Sequence, residues 1–119
     1  MTIDSKHIDP AHPSFQILDS LPIAVTITDA SGRIIYFNKR STQILDRKPE
    51  YLGRDIRLCH RIPESINKID DILQNFKDGS RQEATYDTLR NGKNLTVIFT
   101  PLIDDGELLG CIQTVIIKD

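Results

Sequence analysis

One pair of adjacent side chains, Cys59-His60, carries metal-ligand chemistry. A neutral imidazole or a thiolate can serve as an axial ligand of haem iron. Consecutive residues on a helix point about 100° apart, so at most one of the two could reach a given iron. The alternatives are a structural, hydrogen-bonded His60 and a Cys59 that packs as a small apolar group, the commoner fate of a free thiol. Other reactive groups are poorly placed. Asp70-Asp71 and Asp104-Asp105 are neighbours in sequence, so their carboxylates diverge, and the first pair falls on the polar face of a helix. The six glycines stand singly and form neither a phosphate loop nor a dinucleotide fingerprint. With no nucleophile and base, paired carboxylates or metal cluster, an enzyme is not expected.

The elements that must hold these groups can be read from periodicity and turn chemistry. Residues 1–13 are polar and aperiodic, contain His7 and His12 beside prolines, and read as a flexible lead-in. Phe15, Ile17, Leu18 and Leu21 fit a short helix with Ser14 as its N-cap and Pro22 as its stop. Ile23, Val25 and Ile27 alternate with Ala24, Thr26 and Thr28; Asp29 to Gly32 then turns the chain into Arg33–Asn38, which predicts a hairpin. Lys39–Leu45 reads as a helix ending before Pro49, with Asn38 as a cap. Ile62, Ile66, Ile69, Ile72, Leu73 and Phe76 recur at three and four residues, with Pro63 suited to the first turn and Gly79 to the C-cap. Asn91-Gly92 is the preferred dipeptide of a tight hairpin and joins Glu83–Arg90 to Lys93–Ile103. Asp104-Asp105-Gly106 turns again into Leu108–Ile117. Helix, two strands, several helices and three strands predict an α+β domain, an antiparallel sheet covered on one face by helices.

A chain of 119 residues suits one domain, here 14–119. Fifteen basic and 17 acidic residues are scattered in mixed sign, so no basic stripe exists to track nucleic acid. No segment approaches the roughly 20 apolar residues of a membrane span, and the amino terminus lacks the apolar run of a signal peptide. A cytoplasmic location is expected. Cys59 and Cys111 are far apart and expected as free thiols, the latter packed in the sheet.

The order of elements and three strings, LDSLPIAVTITDASGRIIYFNKRSTQIL, YLGRDI and NGKNLTVIFTPLIDDGELLGCIQTVIIKD, resemble the PAS family of sensory domains. The stretch CHRIPESINKIDDILQNFKDG also resembles a PAS subtype in which a Cys-His pair precedes the long helix. The resemblance implies a five-stranded sheet curved around a cleft that the helices close. Flavin-binding relatives that sense light carry a cysteine three residues after the glycine of a GxNCRFLQ string. In GRDIRLCH that place is held by Ile56, so a flavin is not expected. Some haem-binding PAS sensors use a histidine in the helices bordering the cleft, which would be His60 here.

The resemblance therefore implies a sensor: a small molecule or cofactor in the cleft, and a relay to a C-terminal effector domain, a diguanylate cyclase or histidine kinase, through a homodimer. Candidates for the lining are Ile66, Ile69 and Leu73 on the long helix, Val97 and Phe99 on one strand, and Ile112 and Thr114 on another. The same residues could instead fill a solid core, which would make the domain an interaction or dimerisation module; an enzyme acting on a small hydrophobic substrate is a more distant alternative.

Overall fold

The computed structural model describes residues 13–59 and 63–118. A short helix, α1 (Ser14–Leu18), precedes strands β1 (Ala24–Asp29) and β2 (Ile34–Phe37). Helix α2 (Lys39–Ile44), two 3-10 turns (Pro49–Tyr51 and Ile56–Cys59) and helix α3 (Pro63–Lys77) follow. The chain ends in β3 (Ala84–Arg90), β4 (Lys93–Asp104) and β5 (Glu107–Ile117). The strands form one antiparallel sheet in the order β2-β1-β5-β4-β3. This is the α+β architecture expected. Among the described residues no helix is long and apolar enough to cross a membrane.

Turn chemistry explains the topology. Asn91 and Gly92 both adopt positive φ, 53° and 75°, as the tight turn between β3 and β4 requires. Asp105 and Gly106 repeat the device, at 52° and 78°, between β4 and β5. At the first hairpin Asp29 Oδ1 accepts from the backbone N–H groups of Ser31 (3.0 Å) and Arg33 (2.9 Å), so the carboxylate takes over bonds the turning backbone cannot make with itself.

Each face of the sheet packs. On the face toward α2 and α3, Ala24, Leu95, Val97, Phe99, Cys111 and Val115 meet Ile69, Ile72, Leu73 and Phe76 of α3 in the main core. On the other face Phe15 packs with Val25 and Ile27, flanked by partly buried Leu18, Tyr36 and Ile112. Phe15 stacks on Tyr36 with ring centroids 4.5 Å apart, and the Tyr36 hydroxyl donates to Asp19 Oδ1 at 2.8 Å. Helix α1 therefore covers the outer sheet face of its own chain. Its N-cap position is Pro13, not Ser14, and it ends at Leu18, before the expected stop at Pro22; a helix of five residues is not stable alone and depends on this docking.

Asn38 does more than cap α2. Its Oδ1 accepts from Val25 N (2.9 Å), Ser41 N (3.1 Å) and Ser41 Oγ (3.0 Å). Its Nδ2 donates to Leu18 O (2.8 Å) and Ile23 O (2.9 Å). One fully buried amide thus joins the exit of α1, the start of β1 and the first turn of α2.

Candidate functional site

A cleft of about 560 Å³ opens between the inner sheet face, the loop after α2 and the approach to α3, within the roughly 300–1,000 Å³ of typical small-molecule pockets. Helix α2 ends at Ile44 with Leu45 as its C-cap, and the next residue, Asp46, takes a left-handed φ of 54°. That reversal, ordinarily made by glycine or asparagine after a helix, sends the following side chain back into the fold. The following residue is Arg47, only 4% exposed.

Arg47 lies over the middle of the sheet. Its Nη2 donates to Gln113 Oε1 at 2.9 Å, and its Nε faces Thr26 Oγ1 at 3.4 Å. Thr26 and Gln113 are directly opposed across β1 and β5, so the guanidinium spans one cross-strand pair. Both partners are neutral. The ion pairs among the described residues join Arg57 to Asp55 and Asp70, and Lys118 to Asp87; none involves Arg47. Burial lowers the Arg47 pKa and outweighs the opposing influence of Cys59, the next largest; Arg90 lowers it further, and Tyr51 and Tyr86 oppose that weakly. An arginine stays charged in a protein all the same. Tyr86, on the cleft wall, is pushed up to about 12 by burial and remains a neutral phenol at neutral pH.

The cleft's charged lining is Arg47, Lys48 and Arg90 against Asp46 alone, a local excess of two positive charges in a chain of net charge −2. Arg90 Nη2 donates to Leu45 O (3.1 Å) and Asn91 Nδ2 to Asp46 Oδ2 (3.3 Å). These bonds tie the β3–β4 hairpin tip to the loop after α2 and form one rim.

The expected lining residues divide sharply. Val97 borders the cleft. Ile69, Leu73 and Phe99 are buried in the packed core, and Ile66 is half-buried on α3. Ile112 packs with the opposite face of the sheet, and Thr114 shares that face by strand alternation. Gln113, between them, is the β5 side chain that reaches the cleft. A one-residue difference in parity moves a side chain from one face to the other, and β5 is apolar on both. His60 lies outside the described residues, as do His7 and His12. Cys59 borders the cleft, with its Sγ 3.9 Å from Asp55 O. Among the described residues no group of three or more histidine, cysteine or acidic side chains could hold a metal ion. Cys111 is buried, its thiol pushed up to about 11 by burial although it contacts Thr28 Oγ1 at 3.2 Å, which suits packing and not redox chemistry.

Of the two acidic pairs, Asp104-Asp105 lies at the turn between β4 and β5. Asp70 accepts from Arg57 Nη1 at 2.7 Å, while Asp71 is exposed on α3. A second, shallower depression beside Arg33, Arg54 and Lys77 has its central cation, Arg57, already engaged by Asp55, Asp70 and Ser31 O.

A family model described as a PAS domain matches residues 16–116. The chain belongs to the PAS-domain family. No curated protein matches it. Among solved structures, it resembles a C-terminal domain from Streptococcus mutans at 22% identity and a TM-score of 0.72, covering 94% of this chain and 92% of that one. The PAS domain of BvgS from Bordetella pertussis is 19% identical with a TM-score of 0.73, over 89% of this chain and 84% of that one. The photoactive yellow protein domain from the sensor histidine kinase Ppr of Rhodospirillum centenum is 20% identical with a TM-score of 0.64, over 86% and 91%. At these identities the likeness speaks for the PAS fold.

Proposed function

We propose that this PAS domain is a sensor: a small molecule occupies the cleft that Arg47 and Gln113 floor, and its presence is relayed to an attached effector. The observation that carries the reading is a cleft of about 560 Å³ with a buried arginine and a buried glutamine at its floor. Small-molecule sites are clefts of this size in which a few placed polar groups fix the ligand's orientation, and here the two floor groups take that part within a lining of mixed polarity. The relay path is physical: Gln113 lies on the central strand and Arg47 on the loop that carries the rim, so a ligand that touches both alters strand and helical layer together. Structural likeness to the Ppr domain from a sensor histidine kinase supports a histidine kinase as the attached effector ahead of a diguanylate cyclase. The domain itself is read as non-catalytic.

Native mass spectrometry of the protein purified from cells tests the ligand. A stoichiometric extra mass, lost on denaturation, is expected. A chain that flies at its bare mass and gains no melting temperature from any metabolite set is instead an interaction module, a reading favoured by the solid packing of Ile69, Leu73 and Phe99. Relay through a homodimer is tested at α1. Ile17 is 68% exposed while Phe15 is 8% exposed, so Ile17→Asp should lower the self-association seen by light scattering without unfolding the domain. A wild type that stays monomeric at high concentration removes the dimer.

A further inference from the structure

We infer that the cleft takes a small organic monocarboxylate with an apolar body, held by the guanidinium of Arg47 and the amide nitrogen of Gln113. This rests on the reading of the cleft as a ligand site and adds the chemistry of the ligand.

Arg47 is a buried cation with no carboxylate partner among the described residues. Its bonded neighbours, Gln113 and Thr26, are neutral, and Asp46, the one acidic residue lining the cleft, is exposed and bonded to Asn91. Buried charges in proteins are ordinarily paired, and an unpaired arginine that borders a cavity lacks an anion. The donors left over suit a planar one. Arg47 uses Nε and one hydrogen of Nη2; Nη1 has no acceptor among the described residues.

Gln113 supplies the independent observation. It is 2% exposed, borders the cleft, and spends its Oε1 on Arg47. That bond orients the amide, and its Nε2 has no acceptor among the described residues. A guanidinium edge and an amide N–H₂ side by side form a fork for a two-oxygen acceptor. One central cation matches one negative charge. A phosphate dianion would call for more donors at the floor than these two groups provide. Arg90 is committed to Leu45 O and Lys48 is exposed at the rim, where they attract an anion without fixing its orientation. Leu95, Val97 and Tyr51 offer the apolar surface for the rest of the ligand.

The test uses melting temperature and calorimetry on the purified domain with aliphatic monocarboxylates from acetate to decanoate, benzoate and indole-3-acetate, each against its neutral primary amide. Inorganic phosphate and haemin are separate arms. At least one acid should bind tenfold or more tightly than its amide, and Arg47→Gln should abolish that preference while near-ultraviolet circular dichroism shows an intact fold. In wild-type protein labelled with ¹⁵N, the same acid should shift the Gln113 side-chain amide resonance, a readout that needs no variant. Amides that bind as well as acids overturn the inference and leave the sensor reading standing. Phosphate binding as tightly as the best acid, or haemin binding that Arg47→Gln leaves unchanged, overturns it also. If no acid binds while native mass spectrometry finds a neutral molecule, only the carboxylate is wrong; if no acid binds and the protein flies bare, both readings fall.

Discussion

Arg47 donates to Gln113 across 66 residues of chain, at 2.9 Å and out of bulk water, making a loop residue and a central-strand residue a single polar unit inside an apolar core. Such a unit costs stability that an apolar pair would not. Arg47→Met with Gln113→Leu should therefore fold, and melt at or above the wild-type temperature, because well-packed apolar groups commonly replace buried polar pairs without loss. Gln113→Leu alone leaves the guanidinium without its best acceptor and should cost about 2 kcal/mol. A double-mutant cycle by urea denaturation should give a coupling of about 1 kcal/mol or more. A double variant that melts well below wild type would show that the pair is a net contributor to stability and overturn this expectation.

Asn38 is the second position where one side chain holds several elements. Asn38→Ala removes the cap of α2 and leaves Val25 N–H, Leu18 O and Ile23 O short of partners, for an expected loss of about 4 kcal/mol. Asn38→Asp is the sharper probe. It keeps the acceptor for Val25 and Ser41 but sets a carboxylate oxygen against two carbonyls, so it should also destabilise by several kcal/mol, about as much as alanine. Chemical denaturation of both variants measures this; an aspartate that melts like wild type would mean the Nδ2 bonds contribute nothing.

The fold was legible because its punctuation is local. Asn91-Gly92 specifies its hairpin by the backbone angles only such residues adopt cheaply, and the apolar stripe Ile69, Ile72, Leu73, Phe76 admits one helix face. The site was not legible, for two reasons. β5 carries apolar residues at both parities, so alternation gave no way to tell that Gln113 faces the helices and that Ile112 and Thr114 do not. Arg47 sits in a connector whose reversal is made by Asp46 in place of glycine, and nothing in residue type marks the next side chain as buried. A polar Gln113 in phase with Cys111 and Val115 was the single available hint.

Gly110 lies opposite Asp29 where β5 leaves β1. A Cβ there would overlap the Thr28 carbonyl oxygen and stand 2.9 Å from Thr28 C and 3.0 Å from Asp29 Cα. These are backbone atoms of a paired strand and cannot rotate away. Gly110→Ala should cost about 3 kcal/mol and Gly110→Val should prevent folding. The damage acts through strand pairing: Gly110 does not border the cleft, so an alanine variant that still folds should keep its ligand preference. Equilibrium unfolding and binding measured on the same sample separate the two, and an unchanged midpoint would refute the close approach.

Acid should loosen the domain at the junction of α3 and the first hairpin. Burial alone would raise the Asp55 carboxyl, but hydrogen bonds and charge from Arg57 outweigh it and hold the pKa below the usual carboxylate range. A carboxylate depressed in the folded state contributes stability above its unfolded pKa and loses it as pH falls through the folded value. The ordinary Asp value is about 3.9, so the contribution is complete near neutrality and fades below about pH 4. Arg57 also donates to Asp70 and to Ser31 O, so losing Asp55 frees a residue that spans α3 and the turn after β1. Asp55→Asn should lower stability at pH 7 and flatten its fall between pH 5 and pH 3, relative to wild type, in urea titrations at each pH. A variant whose acid profile stays parallel to wild type would assign the acid sensitivity to other carboxylates.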